Sequence, residues 1–206
     1  MSNEAKTKVD MDPKYLIKLT VTLFVTCVIV AGLLGFVNKL TLPNITAANE
    51  RKTAEAIQQV LPEMEGSPAV LELTDEMTAA ASGAGATVTE AYEAQAGGSV
   101  IGHALKIVAS GSQGNIVMMV GLDAEGAVTG VSIVSNSETS GIGSKVMNNE
   151  PLASGTGVLD QFIGRSAADG ELTVGKNVDA ISGATVSSKG VTTGVSAALA
   201  VAGLLG

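Results

Sequence analysis

The sequence predicts a membrane-anchored α+β protein, with a single N-terminal transmembrane helix followed by a domain that has an antiparallel sheet and flanking helices. Three observations lead to this fold class. Residues 19–37 carry no charge, four stretches between residues 86 and 135 alternate with a period of two, and an apolar stripe of helical period closes the chain. Short connections between the alternating stretches favour antiparallel neighbours.

Residues 19–37 are long enough to cross a bilayer. At about 1.5 Å per residue they span a hydrocarbon core of about 30 Å, and Lys18 and Lys39 bracket them. A cleaved signal peptide is the rival interpretation, but its apolar region is shorter, about 7–15 residues, and no good cleavage site follows here. We therefore assign residues 1–18 to a cytoplasmic tail and residues 19–38 to a retained anchor, because the basic residues slightly favour an inner N-terminus.

The chain beyond the anchor is acidic. It holds seventeen Asp or Glu and eight Lys or Arg residues, and only Tyr92 and Phe162 are aromatic there. Such a domain repels phosphate backbones and offers few stacking surfaces, so nucleic acid is excluded as a partner. The single cysteine, Cys27, lies within the anchor, and His103 is the only histidine. The sequence therefore supplies no intrachain disulfide, zinc site or serine-type triad.

The elements of the domain are predicted in chain order. Pro43 is expected to separate the anchor from a helix at residues 47–61, so that residues 39–62 form a stalk and residues 63–206 the domain. Residues 63–85 are rich in Ala, Gly and Ser and predict a surface connection with a short strand or turn. Strands are predicted at residues 86–95, 100–109, 115–123, 127–135 and 171–174, and a short helix within residues 152–163.

The last helix follows a loop of small residues, DAISGATVSS at residues 179–188. Gly183 allows a positive φ, and Ser187 or Ser188 is expected to cap the helix. The amides of the first helical turn then suit the loop to an anion, and Thr185 places a hydroxyl beside it. An ordinary capped helix start is the alternative. The apolar stripe that follows is too short for a second membrane span.

The loop closely resembles the flavinylation motif of the FMN-binding domain family. In that family the threonine of S/T-G-A-T carries FMN through a phosphoester bond, so the resemblance implies that Thr185 is the attachment residue. The other positions of this chain that match the motif are implied cofactor-binding residues: Asp179, Ser182, Gly183, Ala184, Ser187 and Ser188.

An upstream segment, SETSGIGSK at residues 137–145, is similar to the E-T-P-G-L-G segment that lies near the flavin in the same family. Ser140 replaces the usual proline, while the glycines are kept. The cofactor-binding residues implied here are Glu138, Thr139, Gly141, Ile142 and Gly143. The preceding turn GSQG departs from the family's G-Y-G-G pattern at Ser112 and Gln113, so those two residues receive no flavin-contact role.

The whole chain resembles the family of G subunits of Rnf complexes, which are ion-translocating ferredoxin:NAD+ oxidoreductases of bacterial membranes. The C subunit of the sodium-pumping NADH:quinone oxidoreductase shares the domain. The resemblance implies a non-autonomous electron-transfer subunit that carries one covalent FMN, with its domain on the outer, periplasmic side of the inner membrane. The implied partners are the lipid bilayer, the other membrane subunits of the complex and a flavin transferase for maturation.

Two other functions are compatible with the sequence. One is a free-standing anchored flavoprotein, and the other is an anchored sensor or ligand-binding domain without a redox role. Flavin that survives denaturation would separate the flavoproteins from the binding domain, and co-purifying subunits would separate a complex from a free-standing protein. A complete oxidoreductase is not expected, because the chain shows no NADH motif and no iron–sulfur ligands of its own.

Overall fold

The computed structural model describes residues 13–205, so residues 1–12 of the predicted tail lie outside the described residues. The chain divides into two compact units, Met1–Asn49 and Glu50–Gly206. Helix α1, Pro13–Val60, begins in the first unit and ends in the second. Its segment Pro13–Leu42 contains an 18-residue window with a mean hydropathy of 2.4 and no buried residues, and it is long and apolar enough to cross a membrane.

Helix α1 runs through position 43, where the sequence predicts a break. The prediction of two separate helices was wrong. Proline removes one amide donor from a helix, at a cost of about 3 kcal/mol, but the remaining hydrogen bonds on either side can continue the helix. One helix therefore contains both the predicted anchor and the predicted stalk.

The second unit is built on a five-stranded antiparallel sheet in which the strands lie in chain order. Its strands are β1 Ala69–Leu71, β2 Thr87–Ala96, β3 Ser99–Ser110, β4 Asn115–Asp123 and β5 Val128–Ser135. Strands β2 to β5 confirm the four alternating stretches, with ends that differ from the prediction by at most one residue. The period-two pattern locates these strands well because alternate residues of a strand point to the same face of the sheet.

Three further helices complete the unit: α2 Asp75–Gly83, α3 Gly143–Met147 and α4 Thr185–Ala202. The short strand predicted within residues 63–85 is confirmed as β1, but the prediction of an otherwise loose connection was wrong, because helix α2 lies there. Thr74 caps it by accepting a hydrogen bond from the Met77 amide at 3.2 Å, and Asp75 and Glu76 lie in its first turn. A capping threonine followed by two acidic residues is a typical helix start. The small residues around it favoured the prediction of a loop instead.

The predicted strand at residues 171–174 is absent from the described part of the chain, where Val174 makes only an isolated bridge to Val178. The side chain of Asn177 replaces a strand partner there. It accepts a hydrogen bond from the Thr173 amide at 2.7 Å and donates to the Glu171 carbonyl at 3.0 Å. The short helix predicted within residues 152–163 is confirmed as a single turn, Asp160–Phe162.

Both faces of the sheet are covered. Helices α2 and α4 pack on one face, where alternate β4 residues such as Met118 and Val120 are fully buried. The last turns of α1 pack on the other face, where Ile57 and Val60 meet Met119. The α+β fold class, with one apolar N-terminal helix before an antiparallel sheet and flanking helices, is thereby confirmed.

The end of α1 contacts the sheet at a pair of glycines. Gly121 and Gly130 face each other across β4 and β5, and added Cβ atoms there would lie 2.8 and 3.3 Å from atoms of Val60. The Thr129 hydroxyl donates to the Val60 carbonyl at 2.6 Å, which satisfies one of the free carbonyls at the helix C-terminus. The absence of side chains at the two glycines lets helix and sheet approach closely.

A polar cluster lies under the same helix end. The Lys106 ammonium donates to Glu90 at 2.9 Å and to the Thr53 hydroxyl at 3.3 Å, and the Tyr92 hydroxyl also donates to Glu90. Burial acts to raise the pKa of Glu90, but the hydrogen bonds from Tyr92 and Lys106 outweigh it and hold that pKa below its usual value. Burial and the neighbouring Glu90 carboxylate raise the pKa of Tyr92.

Candidate functional site

A cleft of about 150 Å³ opens at the N-terminal end of α4, and we call it the Thr185 cleft. It brings together three segments that are far apart in the sequence: the β3–β4 turn, the loop after β5 and the first turn of α4. Its lining residues are Ser112, Glu138, Thr139, Ile142, Gly143, Gly183, Ala184, Thr185, Val186 and Ser187. The two motifs singled out in the sequence therefore meet at one place.

The start of α4 leaves backbone donors free at this cleft. Gly183 has a φ of +82°, which favours glycine, and Ala184 occupies the N-cap position. The first helical hydrogen bond runs from the Ser188 amide to the Ala184 carbonyl at 2.9 Å. The amides of residues 185–187 therefore have no intrahelical acceptor, and alanine has no side chain that could cap them.

The prediction that Ser187 or Ser188 caps the helix was wrong, because both lie inside it. The Ser188 hydroxyl donates to the Ala184 carbonyl at 3.1 Å, the backward bond that serine commonly makes within a helix. The Ser187 hydroxyl donates instead to the carboxylate of Glu138. Both side chains are buried, and neither hydroxyl accepts a hydrogen bond from the free amides.

Glu138 connects the three segments of the cleft. Its Oε1 atom accepts hydrogen bonds from the amides of Ser112 at 2.7 Å and Gln113 at 3.2 Å, while Oε2 accepts the Ser187 hydroxyl. A Cβ atom on Gly111 would clash with Oε1, and one on Gly143 would clash with Oε2. The two glycines thus leave the space that the carboxylate occupies.

Thr185 differs from the other hydroxyls of the first turn because its side chain is exposed at the cleft. Three free amides and the positive end of the helix dipole suit this position to a phosphate group. Pockets that enclose a drug-sized ligand measure about 300–1,000 Å³. A cleft of about 150 Å³ is large enough for a phosphate group and too small to enclose a drug-sized ligand.

Four of the residues implied as cofactor-binding lie outside the cleft lining: Asp179, Ser182, Gly141 and Ser188. The backbone amide of Asp179 donates to the side-chain oxygen of Gln161 at 2.8 Å. The side-chain nitrogen of Gln161 donates to the backbone carbonyl of Asp179 at 3.0 Å. Gly141, at a φ of +80°, donates to the Ser144 hydroxyl at 2.8 Å and shapes the loop. Ser182 is exposed.

Ser112 and Val186 line the cleft although neither was predicted to have a role there. The GSQG turn around Ser112 departs from the family pattern, so the sequence predicts no flavin contact for it. Its glycines hold the turn closed through a Gly111 amide to Gly114 carbonyl hydrogen bond of 2.7 Å. Val186 carries no sequence signal beyond its position next to Thr185.

Comparison with known proteins places the same residues in a family context. The FMN-binding domain family matches residues 111–200, a range that contains every residue lining the Thr185 cleft. The G subunit of the Na(+)-translocating ferredoxin:NAD(+) oxidoreductase complex of Acetobacterium woodii is 34% identical over 96% of this chain and 97% of its own length. The G subunit of the ion-translocating oxidoreductase complex of Methanosarcina acetivorans is 29% identical over 87% of this chain and 90% of its own.

Among solved structures, the chain resembles the C subunit of the Na(+)-translocating NADH-quinone reductase of Parabacteroides distasonis. The two share 16% sequence identity at a TM-score of 0.47, over 79% of this chain and 96% of the other.

Proposed function

Because the chain belongs to the family of G subunits of ion-translocating ferredoxin:NAD+ oxidoreductase complexes, we propose that it carries one FMN esterified to Thr185 and transfers electrons within such a complex. The observation that carries this proposal is the exposed Thr185 hydroxyl beside three free first-turn amides. The other membrane subunits of the complex, the Rnf complex, are the proposed partners, together with a flavin transferase that attaches the cofactor.

The residues of the cleft fit the phosphate end of FMN. The first-turn amides of residues 185–187 would hold the phosphate, and Gly183 lets the backbone turn sharply beside it. When bound, FMN supplies one- and two-electron redox chemistry. The protein supplies the tether and leaves the ring outside the cleft, where it can meet a neighbouring subunit.

The attachment is an ester exchange at phosphorus and involves no change of oxidation state. The Thr185 oxygen forms a bond to the flavin-side phosphorus of a flavin dinucleotide, the donor class that such a transferase requires. The pyrophosphate P–O bond breaks, the nucleoside monophosphate leaves, and the hydroxyl proton passes to a base. The chain provides the acceptor hydroxyl and the amides around it.

Denaturation provides the first test of this function. The chain produced together with a flavin transferase should remain fluorescent on a denaturing gel, because an ester bond survives unfolding. Trypsin should release the peptide of residues 177–189 with the added mass of one FMN on Thr185. Fluorescence that disappears on denaturation would instead support an anchored binding domain, and a flavinylated chain that purifies without other subunits would support a free-standing flavoprotein.

The proposed location can be tested separately. We propose that Pro13–Leu42 anchors the chain in the inner membrane, with the FMN-binding unit on the outer side. The protein should pellet with membranes, and a reporter that works only outside the cytoplasm should be active when fused behind α4. A fusion active only in the cytoplasm would reverse this topology, while N-terminal sequencing that begins after Val37 would contradict retention of the anchor.

A further inference from the structure

Two hydroxyls of the first turn of α4 line the cleft, and they differ in environment. Thr185 is exposed, whereas Ser187 is only 1% exposed. The Ser187 hydroxyl donates its proton to Oε2 of Glu138. The small-residue loop also contains Ser188, so the sequence alone offers three acceptors for a phosphoester within one helical turn, of which Ser188 lies outside the cleft lining.

Glu138 is held firmly enough to fix Ser187. Its Oε1 atom accepts the amides of Ser112 at 2.7 Å and Gln113 at 3.2 Å, which leaves Oε2 directed at the Ser187 hydroxyl. The added Cβ of Gly143 would lie 2.9 Å from the Ser187 oxygen and would also clash with the Glu138 carboxylate. The carboxylate and the hydroxyl therefore share an enclosed space with no room for a phosphorus atom.

We propose that Glu138 determines which hydroxyl accepts the flavin, by holding Ser187 in a buried hydrogen bond and leaving Thr185 as the reactive group of the first turn. This proposal rests on the proposed function of Thr185. In ester formation, the attacking oxygen must reach the flavin-side phosphorus of the dinucleotide as the nucleoside monophosphate leaves. A carboxylate can activate a hydroxyl from which it accepts a hydrogen bond. The Ser187 oxygen is buried, however, and cannot reach an incoming phosphorus atom.

In this proposal Glu138 is a positioning residue that determines which hydroxyl is esterified. If Glu138 served only the stability of the fold, its removal would not move the ester to another residue. The sharpest experiment removes the preferred acceptor. Thr185→Ala, Thr185→Ala/Glu138→Ala and Thr185→Ala/Glu138→Gln would each be produced with a flavin transferase beside the wild type. Thr185→Ala/Glu150→Ala serves as the matched control, since it removes an exposed carboxylate that lies outside the cleft lining. Fragmentation of the tryptic peptide of residues 177–189 would locate any ester.

Thr185→Ala alone should be unmodified, because Glu138 still holds Ser187. The Glu138→Ala double variant should carry ester on Ser187 at about tenfold or more over the background signal measured for Thr185→Ala, the scale of a lost hydrogen bond to a charged group. Glu138→Gln keeps the shape but replaces the charged acceptor of the hydroxyl, so it should give an intermediate level. This variant keeps the experiment decisive if the alanine variant does not fold. Thr185→Ala/Glu150→Ala should remain unmodified.

The outcomes separate this proposal from the function on which it rests. An unmodified wild-type peptide would overturn the proposed function and the selectivity role together. Ester on wild-type Thr185, with Ser187 already modified in Thr185→Ala, would overturn the selectivity role alone. Folded double variants that both leave Ser187 unmodified would do the same.

Discussion

Thr185→Ala is expected to abolish covalent FMN and, with it, electron transfer through any complex that contains the subunit. The substitution removes the acceptor oxygen of the ester. Non-covalent FMN should not replace the ester, because none of the described residues lining the cleft is Lys or Arg, and the Glu138 carboxylate lies among them. The first-turn amides and the helix dipole remain, and the dipole contributes only about 0.3–1 kcal/mol at an exposed site.

The fold should survive this change. Thr185 is exposed, and substitutions at such positions usually alter the free energy of unfolding by about 0.5 kcal/mol or less. Thr185→Ser is the graded variant: it keeps a hydroxyl but loses the β-branch that restricts χ1, so partial flavinylation is expected. Thr139→Ala is the matched control, since it removes another cleft hydroxyl that lies outside the first turn.

Flavin absorbance per protein and the mass of the tryptic peptide measure these effects. Thr185→Ala should fall to background, Thr185→Ser should lie between, and Thr139→Ala should retain the ester. Full flavinylation of Thr185→Ala would exclude Thr185 as the attachment residue. A new ester on Ser182 would keep the class of function and reassign the residue.

Gly190→Ala should lower the free energy of unfolding of the second unit by more than a typical surface substitution does. Gly190 faces the sheet from α4, and an added Cβ would lie 2.5 Å from the Ser110 carbonyl oxygen and 3.1 Å from Cδ1 of Ile116. Overpacking of this kind costs about 1–3 kcal/mol, and alanine regains up to about 1 kcal/mol in helix propensity. We expect a net loss of about 1–2 kcal/mol in the free energy of unfolding, since the obstacle is backbone.

The second unit offers a control for this change. Gly83 is the last residue of helix α2, and an added Cβ there would meet nothing within 4 Å. Gly83→Ala should therefore be neutral or slightly stabilising. Denaturant midpoints at unchanged m-values measure both variants. A Gly190→Ala midpoint equal to or above that of the wild type would show that α4 can move away from β3 at little cost.

Local patterns predicted much of this molecule. The apolar N-terminal segment is marked by its uncharged length, and the four alternating strands and the last helix follow from periodicity, since each buries one face. The sequence also indicated that the loops around Glu138 and Thr185 serve one site, and the structure brings the two loops to one cleft. Whether each residue there contacts FMN remains a prediction.

What the sequence could not predict depends on tertiary contacts. The serines after Thr185 look like helix caps because serine is a preferred N-cap residue. Helix α4 nevertheless begins at Thr185, ahead of both serines, and Ser187 finds its partner in Glu138, 49 residues away. The prediction of a helix break at Pro43 was wrong for a different reason. Proline destabilises a helix but does not always end it.

The hydrogen bond between Ser187 and Glu138 has a consequence for how folding can be followed. It joins residues 49 positions apart in the sequence. Closing a loop of this length costs conformational entropy before the contact can form, so such contacts form slowly during folding. The chain has no tryptophan and only two tyrosines, so its ultraviolet emission reports little about this step. A flavin esterified at Thr185 would place a visible chromophore where the last helix docks. The change in its fluorescence during refolding would then report the rate at which this long-range contact forms.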